Sequence, residues 1–231
     1  KTNVAANGAL NELNRTTRAL SRNFERISSG LRIARAADDA AGLGVAESLR
    51  ADAASAKVAA RNINDGISII AVAEGATGEV ASILVRLREL AIQSMSETLA
   101  TTERAYIDDE ADQLVSEIAR IAAVTEFNGV SLTNGAVTTM DVQVGIQNTA
   151  NDIITITLGD LTTTTLGVNV LDLSTAANAS TGLTLLDSAL NTVAQNRSTF
   201  GAVENRLNSA LNNIETFTES TVAAEARIRD A

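Results

Sequence analysis

"IAVAEGATGEVASILVRLRELA", residues 70–91, places apolar or small side chains at Ile70, Ala73, Thr77, Val80, Leu84, Leu87 and Ala91. The steps alternate between three and four. That spacing marks a heptad seam, narrower than the face an ordinary globular helix buries. The pattern recurs upstream at Leu10, Leu13, Thr17, Leu20, Phe24, Ile27 and Leu31. It recurs downstream at Ile107, Ala111, Leu114, Ile118 and Ile121, and again at Phe200, Val203, Leu207, Ala210, Ile214 and Phe217. Ala and Thr at several seam positions allow close approach between helices. Three seams precede the middle of the chain and one follows it, so the last needs partners from the first half.

Composition supports long helices and little chemistry. The 231 residues include no His, Cys, Trp or Pro, and aromatics make up 2%. Lacking proline, the chain has none of the strongest helix breaker. Lacking His and Cys, it has neither the commonest general acid/base nor the usual zinc and copper ligands. No cofactor is expected. A cysteine-free chain gives no redox context. No run of about 18 apolar residues stands out, so no membrane span is expected. The basic-then-apolar layout of a cleaved signal peptide is also missing.

Charge is unevenly placed. Residues 1–35 hold Lys1, Arg15, Arg18, Arg22, Arg26, Arg32 and Arg35 against Glu12 and Glu25, which leaves −15 for the remainder of a chain of formal net charge −10. Arg15, Arg18, Arg22 and Arg26 step by three or four and share one helical stripe. Such a stripe fits an acidic partner, including a second copy of the chain, or a solvated face. The acidic balance argues against nucleic acid.

The middle differs. Between Gly129 and Gly182 there is no Lys or Arg. In "MDVQVGIQNTANDIITITLG", Met140, Val142, Val144 and Ile146 alternate on one face, followed by Ile154, Ile156 and Leu158. Period two with β-branched residues and an Asn-rich connector predicts a β-hairpin. "DLTTTTLGVNVLDL" reads as a further extended piece returning toward the last helix. Asp141, Asp152, Asp160 and Asp172 lack the oxygen spacing of an EF-hand loop and read as structural or turn residues, so no metal site is expected.

These elements give a mainly α chain: an elongated antiparallel bundle or coiled coil of long N- and C-terminal helices, with a small β-hairpin region in the middle. The expected divisions are 1–40 for the first helix and a connecting spoke, 41–132 for a helical rod, 133–182 for the hairpin region and 183–231 for the returning helix. A carboxylate enzyme built on Asp38–Asp39 or Asp108–Asp109–Glu110 is disfavoured: adjacent carboxylates on a helix point apart, and almost no aromatics exist to stack on sugars.

The segments "ISSGLRIARAADDAAGLGVAESLR", "RNINDGISIIAVAEGA", "LVRLRELAIQS", "TEFNGVSL", "LLDSALNTVAQNRSTFGAVENRLNSALNNI" and "AAEARIRDA" together resemble bacterial flagellin over roughly residues 1–135 and 183–231. The resemblance implies a self-assembling filament subunit for motility. Terminal helices would form coiled-coil inner layers, with the middle projecting outward. Its implied partners are other flagellin subunits and the flagellar export and capping proteins, and its implied place is extracellular, reached without a cleaved leader. The short middle implies that large outer variable domains are absent. Family members continue for about one more long helix after the "RIRDA" motif. The Leu10–Leu31 seam is therefore expected to lack its intramolecular partner in this chain, a deliberate truncation is suspected, and assembly of this chain is doubtful.

The resemblance also assigns candidate sites. Gly30, Gly42 and Gly44 flank a corner between helical layers, where Arg32, Arg35, Asp38 and Asp39 would pair across subunits or within the spoke. "RLRELAIQS" resembles the segment read by vertebrate toll-like receptor five, which maps Arg86, Leu90 and Gln93, and Glu110 on the next helix, onto the recognised surface. Val85 departs from that pattern, where some recognised flagellins carry a polar residue. The alternative to a filament subunit is a cell-surface flagellin homologue acting as an adhesin or glycan-binding protein through its acidic middle.

Overall fold

The computed structural model describes residues 3–230; Lys1 of the basic segment and Ala231 lie outside them. The chain is mainly helical. Helix α1 spans Val4–Ser29, α2 Ala40–Ser94, α3 Thr101–Val124 and α4 Ala176–Arg229. Two small antiparallel hairpins sit between α3 and α4: β1 (Glu126–Phe127) with β2 (Val130–Ser131), and β3 (Thr139–Gln143) with β4 (Ile153–Thr157).

The chain divides into two compact units, one running to Val58 and resuming at Asn213, the other Ala59–Asn212. This division cuts across the four expected segments, because α2 and α4 each run unbroken through a unit boundary. In the second unit α2 and α4 are antiparallel: Glu74 meets Arg197 and, further along α2, Arg88 meets Asp187. Here the predicted seams are buried. Every seam position from Ile70 to Ala91 is no more than 1% exposed, and they join Ile118, Leu186, Val193 and Phe200 in the core. α2 has one window long and apolar enough to cross a membrane, where no such run was expected. A third of that window is buried, and Ile70, Ala73 and Val80 of α2 are turned into this core.

Local chemistry sets the ends of the elements. Arg104 donates from Nε to the Ser94 carbonyl, which α2 leaves open at its end, and from Nη2 to the Ser96 carbonyl just beyond the helix. Glu103 accepts the Ala100 amide at the start of α3. Asn128 and Gly129, at φ 50° and 76°, make the two-residue turn between β1 and β2. Both positive angles match the Asn-Gly preference of a type I′ hairpin. The second hairpin has the predicted alternation, with Val142 opposite Ile154 and Met140 opposite Ile156.

Two expectations need correction. "DLTTTTLGVNVLDL" is not extended; it folds as turns that bury Leu161, Leu166, Val168 and Leu173. Its backbone groups are met without a ladder: Thr163 accepts the Val168 amide within the turns, and the Leu173 carbonyl accepts from Ser94 of α2. α4 starts at Ala176, ahead of the expected residue 183. Thr175 Oγ1 accepts the Asn178 amide there, and Asp172 accepts from Ser174 and Asn178. The first turns carry only small and polar residues, so periodicity does not register them.

The first unit contrasts with the second. α1 has no buried residue, and Leu10, Leu13, Leu20, Phe24 and Ile27 are between 54% and 78% exposed.

Candidate functional site

The connection between α1 and α2 is a polar corner. Gly30 caps α1 at φ 69°, a left-handed angle that costs glycine least. Gly42 and Gly44, expected at the corner, lie inside α2. Gly42 has a packing reason instead: a Cβ there would collide with the Asp39 carboxylate and Ile33.

The four spoke residues are all exposed, and each has an intrachain role. Arg32 Nη2 donates to the Ile228 carbonyl at 2.6 Å, and the Arg32 amide donates to the Arg229 carbonyl. The start of the spoke thereby meets the end of α4. Arg35 forms a double hydrogen bond with Glu25 of α1, at 3.0 and 2.8 Å. Asp38 accepts from Arg26 at 2.9 Å and from the Arg35 amide. The Arg26 hydrogen bond holds the Asp38 carboxyl below the usual carboxylate range, helped by the backbone donor and opposed by desolvation. Asp39 accepts the Gly42 amide and caps α2. These geometries account for the charges within one chain. The sequence signal missed was Arg26, which was grouped with its helical stripe and turns out to reach Asp38.

The second candidate surface bridges α2 and α3. Arg86 donates to Glu110 Oε1 from Nε at 3.0 Å and from Nη2 at 2.7 Å, and to Glu89 from Nη1. Glu110 first, then Glu89, raises the Arg86 pKa further. Arg86, Gln93, Glu110 and Val85 are exposed. Leu90 is not: it is 1% exposed and belongs to the core, so its placement on the outward surface is corrected. α2 packs against both α3 and α4, so its buried arc is wider than a single seam and takes in the residue beside Arg86.

The aspartates of the middle are structural: Asp152, Asp160 and Asp172 serve turns, and Asp141 lies in β3 opposite Thr155. Asp160 accepts from Thr162 and Thr165, Asp152 from Thr149 and Asp141 from Thr155. No group of three metal-ligating side chains occurs among the described residues.

Sequence families give this arrangement its context. Residues 1–138 match the model of the bacterial flagellin N-terminal helical region, and residues 183–231 that of the C-terminal helical region. The chain belongs to the bacterial flagellin family. It is 42% identical to a flagellin of Halalkalibacterium halodurans over 207 residues, covering 90% of this chain and 76% of the relative. Against a flagellin of Bacillus subtilis the identity is 37%, covering 99% and 86%. A flagellar filament 33 kDa core protein of Treponema phagedenis is 34% identical, with 99% and 85% covered. Among solved structures, Bacillus cereus flagellin superposes with a TM-score of 0.60 at 34% identity, over 67% of this chain and 88% of that one.

As a flagellin, the chain is a structural subunit of the bacterial flagellar filament serving motility, and not an enzyme. Its partners are other flagellin subunits, and the filament is extracellular. None of these relatives is named as an adhesin or glycan-binding protein, and that alternative has no support.

Proposed function

We propose that Arg32, Arg35, Asp38 and Asp39 act in the filament as a preset contact surface between subunits. The observation that carries this is their combination of exposure with anchoring: each has an intrachain hydrogen bond fixing its place, yet each keeps a face to solvent. Anchoring lowers the conformational entropy lost when a second subunit docks. A weak contact repeated at every subunit also adds up along a polymer. Arg35→Ala or Asp39→Ala in a polymerising flagellin context is expected to leave the circular dichroism of the monomer intact while shortening filaments and reducing swimming. Normal filament length in both variants overturns the proposal.

The family resemblance extends the reading to the flagellar export and capping proteins as partners, with delivery that needs no cleaved leader. Intact mass of the exported chain against the encoded one tests the latter.

A second reading rests on the Arg86–Glu110 bridge and Gln93 beside it, which present an exposed polar surface spanning α2 and α3. This surface is proposed to be read by toll-like receptor five, with Leu90 holding it from beneath. Arg86→Ala and Glu110→Ala are expected to reduce receptor signalling without changing the thermal transition, whereas Leu90→Ala lowers the transition itself. Full signalling from both charge variants contradicts this reading.

A further inference from the structure

We propose that the open edge of β4 is a self-pairing strand, on which a second copy of the chain docks its own β4 antiparallel about Thr155. Residues 153–158 read "IITITL", with no charge, glycine or proline. Short runs of β-branched and aliphatic residues pair with copies of themselves where an edge is exposed. The ladder shows which groups remain free. The Val144 amide donates to the Asp152 carbonyl and the Leu158 amide to the Thr138 carbonyl, so the even-numbered residues bond across the hairpin. Ile153, Thr155 and Thr157 therefore turn their amides and carbonyls outward, and no hydrogen bond to these groups occurs among the described residues. Thr155 and Thr157 are exposed, while Ile154 and Ile156 are buried.

The other edge is guarded. On β3 the Gln143 carbonyl is taken by Asn62 of α2, and Asp141 places an exposed charge on the rim. The β4 edge has neither device. Its geometry also chooses the occupant. In an antiparallel pairing centred on Thr155, that residue opposes its own copy and Ile153 opposes the Thr157 of the copy. Each outward-facing residue then meets another, and each pair exchanges two backbone hydrogen bonds. A shift by one residue would set these groups against ones already used inside the hairpin. The exposed face gains a Thr155–Thr155 contact, a favourable cross-strand pair. With no charge on the strand, nothing selects an ionic peptide and nothing repels an identical one. The two Asp141 carboxylates end three strand spacings apart, about 14 Å, beyond the Debye length of about 8–10 Å at ordinary salt. Such a pairing is two-fold and closes on itself, so it is separate from the repeating contacts of a helical filament. An edge of 5 residues is short, which makes the association weak and concentration-dependent.

The test is single-cysteine cross-linking of the full chain, which has no cysteine of its own, with oxidised glutathione as the oxidant. Thr155→Cys faces its own copy at a Cα separation of about 5.5 Å, which a disulfide spans. In Thr157→Cys the two sulfurs are offset along the strands by about 13 Å, too far to join. The expected result is a disulfide dimer from Thr155→Cys at least about tenfold faster than from Thr157→Cys. In sedimentation, Thr155→Lys should raise the dimer dissociation constant about tenfold or more, and mixing Thr155→Lys with Thr155→Glu should restore pairing. The circular dichroism of each variant should stay at the parent value. Equal cross-linking at the two positions, or none at either, overturns the proposal. So does a dissociation constant that Thr155→Lys leaves unchanged, which would assign self-association to another surface.

Discussion

Leu10, Leu13, Leu20, Phe24 and Ile27 of α1 are between 54% and 78% exposed, whereas Ile70, Val80, Leu84 and Leu87 of α2, at the same three-four spacing, are fully buried. Sequence periodicity cannot separate these two helices. What separates them is the company each keeps. The α2 seam is met by Ile118 of α3 and by Leu186 and Val193 of α4 within one unit. The α1 seam meets nothing among the described residues that buries it. A seam therefore predicts that a helix has a partner face, and says nothing of whether the partner lies in the same chain.

Substitutions can break this comparison directly. Phe200→Ala removes a ring that is 1% exposed and should cost about 3–5 kcal/mol in urea unfolding. Leu20→Ala in α1 should change the same transition by less than about 0.5 kcal/mol. Similar losses from the two would show that α1 is packed after all. Ser94 tests whether polar groups matter in the covered region. Its Oγ donates to the Leu173 carbonyl at 2.6 Å in a fully buried site. Ser94→Ala leaves that carbonyl unmet and should cost about 1–3 kcal/mol, read as a lower urea midpoint with unchanged slope.

Asp39→Ala sharpens the exposed side. Loss of the cap on the Gly42 amide should cost about 1 kcal/mol, measured by thermal unfolding. Asp172 gives the smallest effect. Hydrogen bonds from the Ser174 hydroxyl and amide, then Asn178, hold its carboxyl below the usual carboxylate range. A depressed folded pKa adds stability above the unfolded pKa, and that stability is lost as pH falls through the folded value. The transition temperature should therefore fall on acidification below the usual carboxylate range. Asp172→Asn should show a smaller fall, and an identical acid profile would count against the hydrogen bonds.

The same contrast governs what the sequence made legible. Seam positions 70–91, 107–118 and 200–214 were readable because a helix buried on one side must repeat its apolar residues at helical spacing. The β3–β4 hairpin was readable because Met140 and Val142, then Ile154 and Ile156, alternate. The turns of 160–173 were not, since Leu161, Leu166, Val168 and Leu173 are buried without any regular period. The β1–β2 turn had a usable signal in Asn128–Gly129, the strongest short hairpin dipeptide. Of the candidate sites, Arg35, Asp38, Arg86 and Glu110 came from the family resemblance, and all four are exposed. Leu90 was misplaced because a helical face was assigned from three residues, while two partner helices widen the buried arc. Arg26–Asp38 was hidden because the partners are separated by a glycine corner that pattern reading cannot fold.

The account turns on α1 and α2 being alike in pattern and unlike in packing, and peptide-resolved hydrogen exchange on the dilute monomer measures this most directly. Residues 4–29, a helix without tertiary cover, should exchange orders of magnitude faster than residues 70–91, whose opening requires the second unit to unfold. Comparable protection in the two stretches would contradict the account.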